Sequence, residues 1–157
     1  MSATRSGEPT VWEQVREEAT ALAALLRADG WDVVQVRADH VAAVESGDST
    51  ARTGLVYTVP DSVEEVLPTL VEGGSFDRYE VFRTVARGDL YLVTRLRDEE
   101  TEQGVVLAGA VGLDQVGGLA DAARERGELH THVRLLDGTY LATFRHEDPT
   151  HFFPEDG

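Results

Sequence analysis

His130 and His132 stand two residues apart, followed by Arg134 and, across an Asp-Gly turn signal, by Arg145. Side chains alternate between the two faces of a β-strand, so both imidazoles and the Arg134 guanidinium share one side. Paired imidazoles at this spacing suit a metal ion. The neighbouring guanidinium groups would repel a divalent cation, however, and spacing supplies no third ligand, so no metal is expected. The same charges suit an anion, because Arg offers forked donors to phosphate or carboxylate and His adds further donors. His130, His132, Arg134 and Arg145 are therefore the candidate anion-binding residues. Their alternative use is in an anion-handling acid-base enzyme. The plain reading is a solvated strand face whose cations pair with nearby carboxylates.

A second group lies in the run His146, Glu147, Asp148, Pro149, Thr150, His151, Phe152, Phe153 and Pro154. His146 or His151 could act as a general base oriented by Asp148. The favoured reading is structural, with Phe152 and Phe153 anchoring the segment to the core. No serine sits in a Gly-x-Ser-x-Gly setting and no His-Glu-x-x-His occurs, so no catalytic residue is assigned. The 157 residues contain no Cys and no Lys. Thiolate metal sites, disulfides and cysteine nucleophiles are thereby excluded, as are lysine Schiff bases and a phosphate loop with its usual Lys. No cofactor is expected.

Asn and Ile are also missing, and all 14 basic side chains are Arg. Codons for Lys, Asn and Ile begin with two A or T bases, which points to a GC-rich genome. Against those 14 arginines stand 29 carboxylates, for a net charge of -15. Such self-repulsion opposes a compact fold in dilute buffer. In molar salt the screening length falls to about 3 Å and the penalty largely disappears. The composition thus reads as that of a salt-adapted cytoplasmic protein. Nonspecific nucleic-acid binding is disfavoured by the same charge. The segment from Met1 to Glu8 lacks the apolar stretch of a secretory signal. The weakly polar run Val105 to Leu113 is far shorter than the roughly 20 residues of a membrane span.

The elements that must position these groups follow from periodicity and punctuation. Thr10 to Arg27 predicts an amphipathic helix with capping-box spacing at Thr10 and Glu13 and a stop at Gly30. Strands follow at Trp31 to Arg37, Val41 to Val44 and Leu55 to Val59, with Glu45 to Arg52 a polar loop. A second helix is expected from Ser62 to Glu72, capped through Ser62 and Glu65, kinked at Pro68 and stopped at Gly73 and Gly74. Tyr79 to Ala86 and Leu90 to Arg97 form a hairpin, and an acidic turn from Asp98 leads into a buried strand at Val105 to Ala110. Leu113 to Arg126 is a third helix, weakened by Gly117 and Gly118, for which packing space is one reason. Leu129 to Leu136 and Thr139 to Arg145 form a hairpin about Asp137 and Gly138. The order α-β-β-β-α-β-β-β-α-β-β predicts an α+β fold, mainly an antiparallel sheet with helices on one face. Residues 10–154 form one domain between tails at 1–9 and 155–157.

Register assigns the faces. With Asp137 and Gly138 as a two-residue turn, Leu135, Val133, Tyr140, Ala142 and Phe144 face the core. Arg134 opposite Leu141, His132 opposite Thr143 and His130 opposite Arg145 face outward. With Gly88 and Asp89 as the middle turn, Phe82 lies opposite Arg95 and Ala86 opposite Tyr91 on an outward face. Phe82, Tyr91 and Arg95 are the candidate interaction surface, expected to share the open side of the sheet with the histidine stripe. A homodimer through that side is one expected use.

The segments Gly54 to Pro60, Tyr79 to Phe82, Tyr91 to Thr94, Thr131 to Thr139, Phe144 to Asp148 and Phe152 to Pro154 resemble a small uncharacterised haloarchaeal protein family. The resemblance spans most of the chain after Gly30, and Pro68 departs from it. It implies a haloarchaeal cytosolic protein and brings no catalytic residue, ligand or partner. The functional expectation is a non-catalytic module that binds a small ligand or another protein in high salt.

Overall fold

Thr10 starts the first helix, α1 (Val11–Ala28), as the spacing predicts: its hydroxyl accepts from Glu13 N at 3.0 Å while the Glu13 carboxylate accepts from Thr10 N at 3.0 Å. Two of the helix's unpaired N–H groups are thereby satisfied. The computed structural model describes residues 10–45, 53–72 and 74–154, so the expected tails, Gly73 and the loop after Glu45 lie outside the described residues.

Eight strands follow in the expected order, β1 (Asp32–Arg37), β2 (His40–Val44), β3 (Gly54–Val59), β4 (Arg78–Ala86), β5 (Asp89–Asp98), β6 (Gln103–Gly112), β7 (Leu129–Leu135) and β8 (Tyr140–His146). The other helices are α2 (Leu67–Val71) and α3 (Leu113–Arg126). The α+β class and the element order hold, and four of six strand pairings are antiparallel. The strands divide, however, into two sheets, β1-β6-β5-β4 and β2-β3-β7-β8, each containing one parallel pair. Continuous apolar strands need cover on both faces, and the second sheet supplies it. Leu90, Leu92, Leu96, Val105 and Leu107 of the first sheet share one core with Leu55, Tyr57, Val133 and Leu135 of the second. On the other side of the first sheet, Val15, Ala19 and Ala23 of α1 pack on Val93, Val106 and Ala108. Gly109 permits the close approach of the sheets: a Cβ there would lie 2.5 Å from Val41 Cγ2 and 2.9 Å from the Tyr57 ring.

Several local expectations change. The second helix is broken: a 3-10 turn (Asp61–Glu65) precedes α2, Pro68 sits in the first turn of α2, and no side-chain cap bond forms at Pro60. The middle hairpin turns at Arg87 and Gly88, both with positive φ (55° and 83°), rather than at Gly88 and Asp89. Phe82 therefore pairs with Val93 and Glu80 with Arg95. The shift is even, so every side chain keeps its face. Asp98 is not part of the acidic turn expected from Asp98 to Gln103, which begins one residue later. It ends β5 buried and accepts from Ser75 N at 2.9 Å and Glu100 N at 3.0 Å. The Ser75 N–H is the main cause holding its carboxyl below the usual range. Of the helix α3 glycines, Gly118 does abut the Glu45 carboxylate, whereas a Cβ on Gly117 would meet nothing.

One corner of the fold has consequences for function. Pairing of β1 with β6 stops at Arg37 and Ala108, but β6 runs on to Gly112 beside β5. The chain leaves the first sheet there: Ala38 N donates to Ala108 O at 2.9 Å and Asp39 N to Thr58 O at 2.8 Å. β1 and β2 thus belong to different sheets although only Ala38 and Asp39 separate them. The last residues of β6 lose their β1 neighbour, and a crevice opens over Ala110.

Candidate functional site

The β7–β8 ribbon reaches the predicted outward face by an unpredicted route. Its loop has three residues, not two: Leu135 N donates to Thr139 O and Gly138 N to Leu135 O, both at 2.9 Å, with Gly138 at φ 96°. That loop shifts the register by one, and a bulge between Val133 and Arg134 shifts it back. His132 opposite Thr143 and His130 opposite Arg145 are unaffected, while Arg134 pairs with Tyr140 instead of Leu141. Tyr140 moves from the expected core face to the edge of the His132 ring, 5.8 Å between centroids. Leu141 takes up core packing in its place.

The four candidate anion residues share this face, but several of their groups are engaged. The His130 and His132 rings stack at 5.9 Å and 8°. His132 is buried, with Nε2 2.8 Å from the Thr53 carbonyl and Nδ1 2.9 Å from Thr143 Oγ1. A carbonyl only accepts, so Nε2 carries the proton. Arg145 donates to Glu128 at 2.7 Å and to Glu147 at 3.4 Å. The Arg145 hydrogen bond also holds the Glu128 carboxyl below its ordinary range. Arg134 is half-buried, its Nε without a hydrogen-bond partner.

Phe82, Tyr91 and Arg95 lie on the other sheet, so the two candidate surfaces do not share one open side. Arg95 donates to Glu80 at 2.9 Å, and Arg97 takes the second oxygen of the same carboxylate at 2.9 Å. Phe82 and Tyr91 are half-buried against the α1 cluster. Tyr91 meets Trp12 of α1 at 6.2 Å between ring centroids, tilted by 36°.

Beside that aromatic pair lies a feature that local sequence patterns did not mark. Trp12, Tyr91, Arg37, Asp39, His40 and Ala110 line a cavity of about 430 Å³ in the crevice left by β1. Arg37 also lines a neighbouring cavity of about 760 Å³, with Arg16, Glu17, Thr20 and Ser62. His40 borders a third, about 600 Å³, with Asp89, Asp114 and Gln115. Arg37 borders the first two cavities and His40 the first and third, so the three adjoin around the β1–β2 corner, and this run of surface is the groove. Each cavity taken singly has a volume in the range of small-molecule sites. The one signal available in the sequence was Tyr91, flagged as part of an exposed hairpin face.

Comparison with known proteins places the chain without assigning an activity. A family described as of unknown function, DUF7529, matches residues 1–154. The chain belongs to DUF7529. No curated protein and no solved structure matches it. Within this DUF7529 domain no helix among the described residues is long and apolar enough to cross a membrane. No group of three or more His, Asp or Glu among them could hold a metal ion.

His146, weighed as a base, is a core residue of the DUF7529 domain. It has no exposed surface; its Nε2 is 2.8 Å from Thr131 Oγ1, and its ring lies 4.6 Å from both Tyr79 and Phe152. Desolvation, with a smaller contribution from His130, lowers its pKa to about 3. The folded value lies below the ordinary one, so the unfolded chain binds the extra proton and stability falls as pH drops from about 6.5 towards 3. In urea unfolding this group alone should remove about 2 kcal/mol of stability between pH 7 and pH 5. His146→Phe should flatten that slope, and an unchanged slope would refute the assignment. His151 and Asp148 are exposed and 3.7 Å apart, with Asp148 Oδ1 already accepting from Thr150 N and Oγ1.

Proposed function

We propose that this domain is a non-catalytic binding module that holds a small ligand in the groove at the β1–β2 corner and works in a salt-rich cytoplasm. One observation carries the reading: the Trp12–Tyr91 pair borders a cavity whose Arg37 makes no ion pair among the described residues, in a chain with about twice as many carboxylates as guanidiniums. Elsewhere on the sheets Arg78, Arg95, Arg97 and Arg145 are matched with Glu, while Arg83 donates to backbone carbonyls and Arg134, like Arg37, makes no ion pair among the described residues. Aromatic walls with a few placed polar groups are what small-ligand sites use. The non-catalytic part is supported by the histidines of the β7–β8 ribbon. His146 is held neutral in the core and His132 is fixed through both ring nitrogens. The salt-rich setting is supported by the net charge of -15.

The test uses the chain's two tryptophans. In Trp31→Phe protein, Trp12 is the remaining indole, so its emission reports on the groove. A metabolite screen in molar KCl should yield a compound that shifts Trp12 emission and raises the melting temperature. Arg37 is exposed, so Arg37→Ala should weaken that binding about tenfold or more without changing the melting curve of the free protein. A broad screen in which nothing perturbs Trp12 or stability would overturn the proposal.

A further inference from the structure

We infer that the groove takes an anion carrying a planar ring. This rests on the groove being the binding site, and it adds the ligand's chemistry and orientation. The middle of the groove is built for a flat apolar group. Ala38 and Ala110 keep its floor low, and the half-buried rings of Trp12 and Tyr91 rise beside it. A ring set against such side chains gains by stacking.

The ends of the groove differ in charge. Trp12 and Arg16 are four residues apart on α1 and so project from the same side of the helix. Arg16 therefore lies next along the groove, where it and Arg37 line the cavity of about 760 Å³. Neither guanidinium has an ion-pair partner among the described residues. Two carboxylates, Glu13 and Glu17, face the same cavity, so this end is balanced in charge, with Glu13 held towards Thr10 N in the helix cap. Asp39 stands on the rim of the middle cavity, and the far end beyond His40 carries Asp89 and Asp114. A ligand whose ring sits at Trp12 and Tyr91 therefore points its negative group towards Arg37 and Arg16, away from the acidic end. Forked guanidinium donors recognise phosphate and carboxylate alike, so the shared chemistry is an aromatic anion, supplied either as a nucleotide or as an aromatic carboxylate.

Calorimetric titration of the full chain in molar KCl tests this with four probes: adenosine 5′-monophosphate, 4-hydroxybenzoate, adenosine and inorganic phosphate. At least one of the two ring anions should bind about tenfold or more tightly than both adenosine and phosphate, and which one does so identifies the source. Arg37→Gln should bring that anion down to the affinity of its neutral counterpart. Tyr91→Leu should weaken adenosine and adenosine monophosphate together. Phosphate binding as tightly as the tighter ring anion would overturn the aromatic requirement, and adenosine binding as tightly as that anion would overturn the anionic one. A different ligand found through Trp12 emission, with neither ring anion binding, would overturn this ligand class and leave the groove as the site. No binding of any compound to the groove would overturn both.

Discussion

Phe152→Ala should lower the unfolding free energy by about 3–5 kcal/mol, the range for emptying a buried aromatic site. Phe152 has no exposed surface, and its ring lies 4.6 Å from His146, 5.9 Å from Tyr79 and 6.5 Å from Phe153. Tyr79 belongs to edge strand β4 of one sheet and His146 to edge strand β8 of the other. The phenyl group therefore joins two sheets at the side away from β1 and β2. The backbone around it repeats the link. The Tyr79 hydroxyl donates to Asp148 O at 3.0 Å and accepts from Asp148 N at 2.9 Å, while Arg83 donates to His151 O at 2.9 Å. Removing the ring leaves a void and loosens the segment that carries these bonds. Urea denaturation at neutral pH measures the loss, and Phe152→Leu, which keeps most of the volume, should lose about half as much. A loss below about 1 kcal/mol for the alanine variant would mean that this segment does not tie the sheets together.

Gly54→Ala should be comparably damaging, by about 2–6 kcal/mol, for a different reason. Gly54 has φ 129°, and a Cβ there would collide with the His130 carbonyl oxygen and lie 3.1 Å from its carbon. These are backbone atoms of β7, which pairs in parallel with β3 from Leu55 and Thr131 onward. The obstacle cannot swing away as a side chain would. Backbone strain of about 1–3 kcal/mol adds to about 1–3 kcal/mol of overpacking. Gly117→Ala is the matched control. Its Cβ would meet nothing within 4 Å in α3, so it should stabilise by about 0.5–1 kcal/mol. Thermal melts of the two variants should move in opposite directions, and a tolerated Gly54→Ala would contradict the close approach of β3 and β7.

Much of this architecture was legible because it is written locally. Thr10 and Glu13 mark the start of α1, Gly127 its counterpart at the end of α3, and alternation marks the faces of β4, β5, β7 and β8. Faces are preserved even where the pairing differs: the middle turn sits one residue earlier and shifts the pairing by an even step, and in the other ribbon the extra loop residue and the bulge offset each other. Tyr140 and Leu141, caught between those two irregularities, exchanged sides. The division into two sheets was not legible. The partners of β1 and β3 are β6 and β7, separated from them by long stretches of chain, and nothing in an apolar strand names its distant neighbour. The groove was hidden for the same reason. It exists because β1 leaves its sheet before β6 ends, and Trp12, Arg37 and Tyr91 meet only in that tertiary arrangement.

The groove's two sides are anchored differently. Its floor at Ala110 belongs to β6, an inner strand bonded along its length to β5. Its wall is the opening turn of α1, where Val11 and Trp12 are half-buried and Thr10, Glu13 and Gln14 are exposed. Helix ends fray at far lower free energy than central strands. Amide protons at the start of α1 should thus exchange with solvent long before those of β6. A guest could be admitted by fraying one helical turn, with the molecule's interior left undisturbed.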